Sequence, residues 1–223
     1  MEETIGNQLI NYYNGINKPG KLPAGVELLF PFDQTAVQTA ISSFYTKYFN
    51  DGDRRTLLVG INPGRLGGGV TGIPFTDPKA MENFLDLPND FDKKRKLSSQ
   101  FIYDMIHHLG GPTFFYSKFL ISSVCPLGFV KEGKNMNYYD DQKLQNMLES
   151  YMVNNLRWHL DNICHDRVIF SLGQGKNLKY LQFLNSKYQL CGEVVALPHP
   201  RWILQYRRKR LSEFLDLYKE KLL

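Results

Sequence analysis

Apolar residues return along this chain in two rhythms. Over Ala36–Tyr48, "AVQTAISSFYTKY", they recur every three to four residues, the spacing of a helix with one buried face. Arg55–Ile61, "RTLLVGI", is instead a short apolar run that stops at Asn62-Pro63, as a buried strand would. The alternation continues. Leu97–Leu109 predicts a helix stopped by Gly110-Gly111, Phe119–Val124 a strand closed by Cys125-Pro126, and Asp140–Ile163 a long amphipathic helix. Arg167–Leu172 predicts a third strand, Asn177–Tyr188 a helix, Glu193–Leu197 a fourth strand and Arg208–Leu222 a last helix.

Strands that alternate with helices require crossover connections. The expected class is therefore α/β, with a mostly parallel four-stranded central sheet between two helical layers. No internal repeat, low-complexity tract or linker divides the sequence, so residues 1–223 read as one domain. Ligands of such sheets sit beyond the carboxyl ends of the strands. That rule selects Asn62, Ser123, Cys125, Gly173 and His199.

Composition narrows the setting. The chain is 43% hydrophobic but holds no apolar run long enough to span a bilayer, so no membrane partner is expected. The acidic start, Met1-Glu2-Glu3-Thr4, and the short polar Leu9–Tyr12 segment do not fit a secretory leader. Cys125, Cys164 and Cys191 are odd in number and widely spaced, which disfavours a disulfide framework or a four-cysteine metal site and suits a reducing, cytoplasmic setting. Lys and Arg number 27 against 22 Asp and Glu, a net +5, and they cluster as "KKRK" at 93–96 and "RRKR" at 207–210. Such runs form solvated faces or contact nucleic acid.

The stretch Leu57–Pro78, "LLVGINPGRLGGGVTGIPFTDP", is crowded with glycine and proline. Its Gly67-x-Gly69-x-x-Gly72 matches a dinucleotide fingerprint in form only, because Asn62-Pro63 separates it from the strand and Ile73-Pro74 forbids the helix the fingerprint should open. There is no Gly-Lys-Ser/Thr for a phosphate loop. What stands out is an amide fixed at a strand end by proline, followed by an aromatic, Phe75, whose ring could stack on a planar ligand. The second unusual stretch is "LPHPRWILQYRRKR", Leu197–Arg210, which sets His199 at the same sheet edge and then strings Arg201, Trp202, Tyr206, Arg207, Arg208 and Lys209 behind it. His107-His108 reads as capping at a helix end, Cys125 as packing, and Lys131–Asp141 as a polar loop beside a nucleic acid or open to solvent.

These motifs resemble the single-strand-selective monofunctional uracil-DNA glycosylases. Gly60-Ile61-Asn62-Pro63-Gly64 through Thr71-Gly72-Ile73-Pro74-Phe75 is similar to that family's G-M-N-P-G and T-G-V-P-F, Ser123–Leu127 to its N-L-C-P-L, and His199-Pro200 to the start of its H-P-S-P-R-N. The resemblance runs from about Leu29 to the C-terminal helix. It implies an α/β/α sandwich that hydrolyses the N-glycosidic bond of a damaged base, leaves the strand uncut, and needs neither metal nor cofactor. It further implies that Asn62 positions the attacking water, Phe75 stacks on the flipped base, and His199 donates to the leaving base. Ile61 and Gly64 would line the base pocket, Ser123 would stand at the base-reading position, and DNA, met by a monomer, would be the partner.

Two departures qualify the transfer. Ser123 replaces an amide able to pair with a donor and an acceptor together, which suggests tolerance of other deaminated bases, xanthine above all. After His199 the chain runs H-P-R-W-I-L, so the residue that wedges into the duplex is open among Arg201, Trp202, Ile203 and Tyr206. The competing readings are an idle module of the same fold that binds damaged or single-stranded DNA, and a nicotinamide-dependent oxidoreductase.

Overall fold

The computed structural model describes residues 3–94 and 96–223. In chain order these form α1 (Ile5–Asn14), β1 (Val26–Leu29), α2 (Thr35–Tyr48), β2 (Arg55–Gly60), α3 (Gly68–Thr71), α4 (Pro78–Leu85), α5 (Leu97–His108) and α6 (Pro112–Lys118). Then follow β3 (Phe119–Ser123), β4 (Gly128–Lys131), β5 (Lys134–Met136), α7 (Gln142–Asn162), β6 (Cys164–Leu172), α8 (Lys176–Tyr188), β7 (Glu193–Leu197), α9 (Pro200–Tyr206) and α10 (Leu211–Leu222).

The central sheet has the order β3-β2-β6-β7 and every pairing in it is parallel. Its middle strand β2 carries Leu57, Leu58 and Val59 with no exposed surface, as a strand covered on both faces must. The chain leaves β2 toward β3, then returns past it to β6 and β7. Right-handed crossovers therefore put α5 on one face and α7 and α8 on the other. The α/β/α architecture expected from the alternation is the observed one. Because the connections after β2 and β6 depart in opposite directions, a crevice opens at the carboxyl ends of these two neighbouring strands.

A second sheet, β1-β4-β5, is antiparallel and does not follow from the apolar pattern. The Lys131–Asp141 segment, expected as an open loop, supplies its β5 strand and a single 3-10 turn at Tyr138–Asp140. Glu132 and Gly133, at φ 51° and 69°, make the two-residue left-handed turn that suits hairpin twist. The hairpin rests on the strand-end loop, since a Cβ at Gly128 would fall 2.7 Å from the Pro63 carbonyl oxygen.

Three other expectations change. The glycine stretch does open a helix, α3, but one of a single turn that ends at Gly72 with φ 74°. The segment directly after His199, for which the apolar pattern predicts no element, is helix α9, and it packs on α5. The final helix begins at Leu211, behind a 3-10 turn at Arg208–Arg210.

Candidate active site

A cavity of about 220 Å³ opens at the switch point, lined by Ile61, Asn62, Gly64, Phe75 and His199 among others. With Arg201, six of the expected site residues thus meet there although up to 140 positions separate Ile61 from Arg201 in the sequence. What each can do follows from how it is held.

Asn62 stands two residues beyond the end of β2, and its amide is gripped by its own loop and by the segment around β5. Nδ2 donates to the Pro63 and Met136 carbonyls, each at 3.2 Å, and Oδ1 accepts the Tyr138 N–H at 3.2 Å. Both amide hydrogens are therefore spent, and one lone pair of Oδ1 is left to accept from a water. The group can orient a nucleophile but has no basic site with which to deprotonate it.

Phe75 sits at φ 56°, a left-handed conformation costly for a side chain of its size. The reason is visible across the loop. A Cβ at Gly60 would lie 2.4 Å and 2.6 Å from the Phe75 ring atoms Cε2 and Cζ, so the ring lies directly on bare backbone at the end of β2. The other glycines serve the protein as well. Gly69 makes room for the Gly64 carbonyl, Gly72 for Val37 and Ile41 of α2, and Gly64 and Gly67 for the side chain of Lys96. Bare backbone is needed here to pack loop on loop; the cavity is a consequence of that packing.

His199 caps α9, its Nδ1 accepting the Arg201 N–H at 3.1 Å. A ring nitrogen that accepts carries no proton, so the neutral imidazole bears its hydrogen on Nε2 and is a donor there. Burial, reinforced by the charges of Lys96 and Arg201, pushes the pKa down to about 4. The neutral donor is thus the form present at neutral pH. Its position is fixed from two sides. Gly173, at φ 147°, passes so close that a Cβ would sit 3.3 Å from His199 Cδ2, and the buried Tyr218 hydroxyl of α10 donates to the Pro198 carbonyl.

Not every expected residue joins them. Ser123 ends β3 opposite Gly60 and is buried, but it does not line the cavity. Cys125 is fully buried with its thiol pushed up to about 12 by burial, in keeping with packing. Arg201 lines the cavity rim. Trp202 lies edge-on to Phe214 and under the Arg207 guanidinium, 4.9 Å from its ring centre, while Tyr206 is the most exposed aromatic of α9 at 59%. Ile203 is buried and cannot serve as a wedge. Arg207, Arg208 and Lys209 are exposed, whereas Arg210 is engaged by Glu213 at 2.6 Å. Of "KKRK", Lys93 pairs with Glu82 and Lys94 with Asp92, Lys96 enters the cavity, and Arg95 lies outside the described residues. His108 pairs with Asp216 at 2.9 Å, and among the described residues no cluster suits a metal ion.

Sequence reasoning missed Lys96, Ser98, Asn135, Met136 and Asn137, which complete the cavity wall. Asn135 Oδ1 accepts the Arg65 N–H at 3.0 Å, leaving its amide hydrogens for a ligand.

Residues 46–223 match the family model described as the uracil DNA glycosylase superfamily. The chain belongs to the uracil DNA glycosylase superfamily. The crystal structure of wild-type SMUG2 from Pedobacter heparinus is similar at a TM-score of 0.93 and 37% sequence identity, over 97% of this chain and 96% of that one. This glycosylase is accordingly of the SMUG type, and DNA is its substrate polymer. No curated protein matches it.

Proposed function

We propose that this DNA glycosylase hydrolyses the N-glycosidic bond of uracil and of other deaminated bases, xanthine among them, after the nucleotide has been flipped out of its strand. The observation that carries the reading is the convergence of Asn62, Phe75 and His199 on one cavity. Deamination replaces an amino group by a carbonyl, so it turns a donor on the base edge into an acceptor. The polar side chains around the cavity favour that change: His199 Nε2, the Asn135 amide and the charged ends of Lys96 and Arg201 are donors, and Ser98 can act as one. With Ser123 outside the wall, no side-chain amide at that position enforces pairing with uracil alone.

Bond breaking by dissociation leaves an oxocarbenium-like sugar and an anionic base. His199 Nε2–H and the positive charge of Arg201 meet that anion, and Asn62 Oδ1 holds a water for the sugar carbon. With no base to activate this water, departure of the nucleobase runs ahead of attack. Base flipping costs a few kcal/mol and least in single strands, so Tyr206 and Arg201 on α9 need supply only a modest wedge. Three free cysteines suit an intracellular setting.

The test uses labelled oligonucleotides bearing uracil, xanthine or hypoxanthine, single- and double-stranded, with alkali to cleave abasic sites. Base release that falls about 10²–10³-fold in His199→Ala is expected, the usual loss for one preorganised donor. Binding of these DNAs without any base release would instead identify an idle recognition module. Release of uracil alone would remove xanthine from the substrates.

A further inference from the structure

Lys96, the N-cap residue of α5, and Asn135 of β5 both line the cavity, and their nitrogens close on one place. A Cβ at Gly64 would lie 2.8 Å from Lys96 Nζ and 3.3 Å from Asn135 Nδ2. Both distances are close to hydrogen-bond lengths, so an acceptor lying over this buried glycine comes within reach of two donors at once. Each nitrogen is kept available. Asn135 Oδ1 accepts the Arg65 N–H at 3.0 Å, which engages the accepting end of the amide. Lys96 is fixed through its backbone, because buried Asp77 accepts the Ala80 N–H with Oδ1 at 2.9 Å and the Lys96 N–H with Oδ2 at 2.8 Å. Among the described residues no carboxylate pairs with Lys96 Nζ. An ammonium cannot accept and the Asn135 oxygen is engaged, so the spot over Gly64 suits an oxygen and turns away an amino group.

We propose that Lys96 Nζ and Asn135 Nδ2 together hold one carbonyl oxygen of the flipped base, the oxygen that deamination of guanine or cytosine creates. The proposal rests on the reading that the base enters this cavity, and it names what the cavity selects. A base reaches a recess over a buried glycine by its edge alone, whereas a phosphodiester would have to bring chain in on both sides. The strands that lead to Gly64 and His199, β2 and β7, stand two positions apart in the sheet, about 9.5 Å. A six-membered ring with a carbonyl oxygen on either side suits donors that approach from those two strand ends. Uracil and xanthine carry two carbonyls, one for His199 Nε2 and one for the pair over Gly64. Hypoxanthine has a single carbonyl and leaves the pair without a partner, while guanine turns an amino group toward it. Sites built to hydrogen-bond a group reject the analogue that lacks it. Among purines the order of preference is therefore xanthine, hypoxanthine, guanine.

The test uses oligonucleotides of one sequence whose target sugar carries a 2′-fluorine, which blocks glycosidic cleavage, and whose target base is xanthine, hypoxanthine or guanine. Their phosphates are identical, so differences in affinity come from the base. The wild-type chain should bind the xanthine strand about tenfold or more tightly than the hypoxanthine strand, the margin of a charge-assisted hydrogen bond. Lys96→Met removes one donor, and Asn135→Asp keeps the Arg65 bond while exchanging the other donor for an acceptor; each should erase most of that margin. Equal wild-type affinity for xanthine and hypoxanthine, a margin that survives in both variants, or an equal loss on all three strands, which would put the pair on a phosphate, overturns the proposal. Base recognition is judged separately. Equal wild-type affinity for the xanthine and guanine strands would sink that reading, whereas a preference for xanthine that both variants keep sinks only the role of Lys96 and Asn135.

Discussion

At the scale of single residues, the chemistry is set by which hydrogens and lone pairs are already taken. Asn62 shows this most clearly. Its Nδ2 faces the Pro63 and Met136 carbonyl oxygens, so in Asn62→Asp a carboxylate oxygen would face the same two acceptors. That repulsion disfavours the charged form and raises the new carboxyl above the usual carboxylate range. Only the deprotonated form can act as a base. Single-turnover excision by Asn62→Asp should therefore climb with pH through this raised pKa, about tenfold per unit below it, whereas the wild-type profile stays flat there. Superimposable profiles for the two proteins would show that residue 62 does not face the attacking water. His199 follows the same logic. Its capping bond to Arg201 decides which nitrogen donates, a detail that no motif in the sequence expresses.

At the scale of elements, the four parallel strands were legible because each ends in a short apolar run closed by proline or glycine, although β6 starts at Cys164, three residues before its apolar run, with His165 and Asp166 exposed. The second sheet was not. Its strands are three or four residues long, and β5 exposes Lys134 and Asn135, so none of the three shows a sustained period. Glu132-Gly133 was the usable signal, a two-residue hairpin turn. Helix α9 escapes the apolar pattern for a similar reason: seven residues are too few for a sustained period, and its start signature, His199 as cap and Pro200 at the first helical position, coincides with the motif. The cavity residues on these elements, Asn135 to Asn137, were lost with them, and Lys96 was hidden in a charge run. From α9 onward the structure presents Arg207, Arg208 and Lys209 to solvent. If they meet phosphates, replacing all three by alanine should flatten the slope of log affinity against log salt by about 2.7 on duplex DNA, from about 0.9 each. Parallel salt plots for variant and wild type would place the DNA elsewhere.

At the scale of the molecule, the cavity exists because two sheets and the α5–α9–α10 helices meet at one sheet edge. Acid should loosen that assembly. His199 and the fully buried His159 both titrate near 4 when folded, against an ordinary histidine value near 6.5 in the unfolded chain. Between those values the unfolded state binds more protons, so stability is complete above about pH 6.5 and declines as pH falls toward 4. Urea midpoints recorded from pH 7.5 to 4.5 should drop over that window, and His159→Gln should drop less steeply. A midpoint unchanged down to pH 5 would contradict the burial of both rings.

The contact between Gly60 and the Phe75 ring carries a consequence for how such enzymes diverge. A methyl group at position 60 and a phenyl at 75 compete for one volume, so neither site can drift while the other stays as it is. Lineages that gain a side chain at the end of β2 must surrender the aromatic in the same stroke, and with it the ring that the proposed function sets against an extruded base.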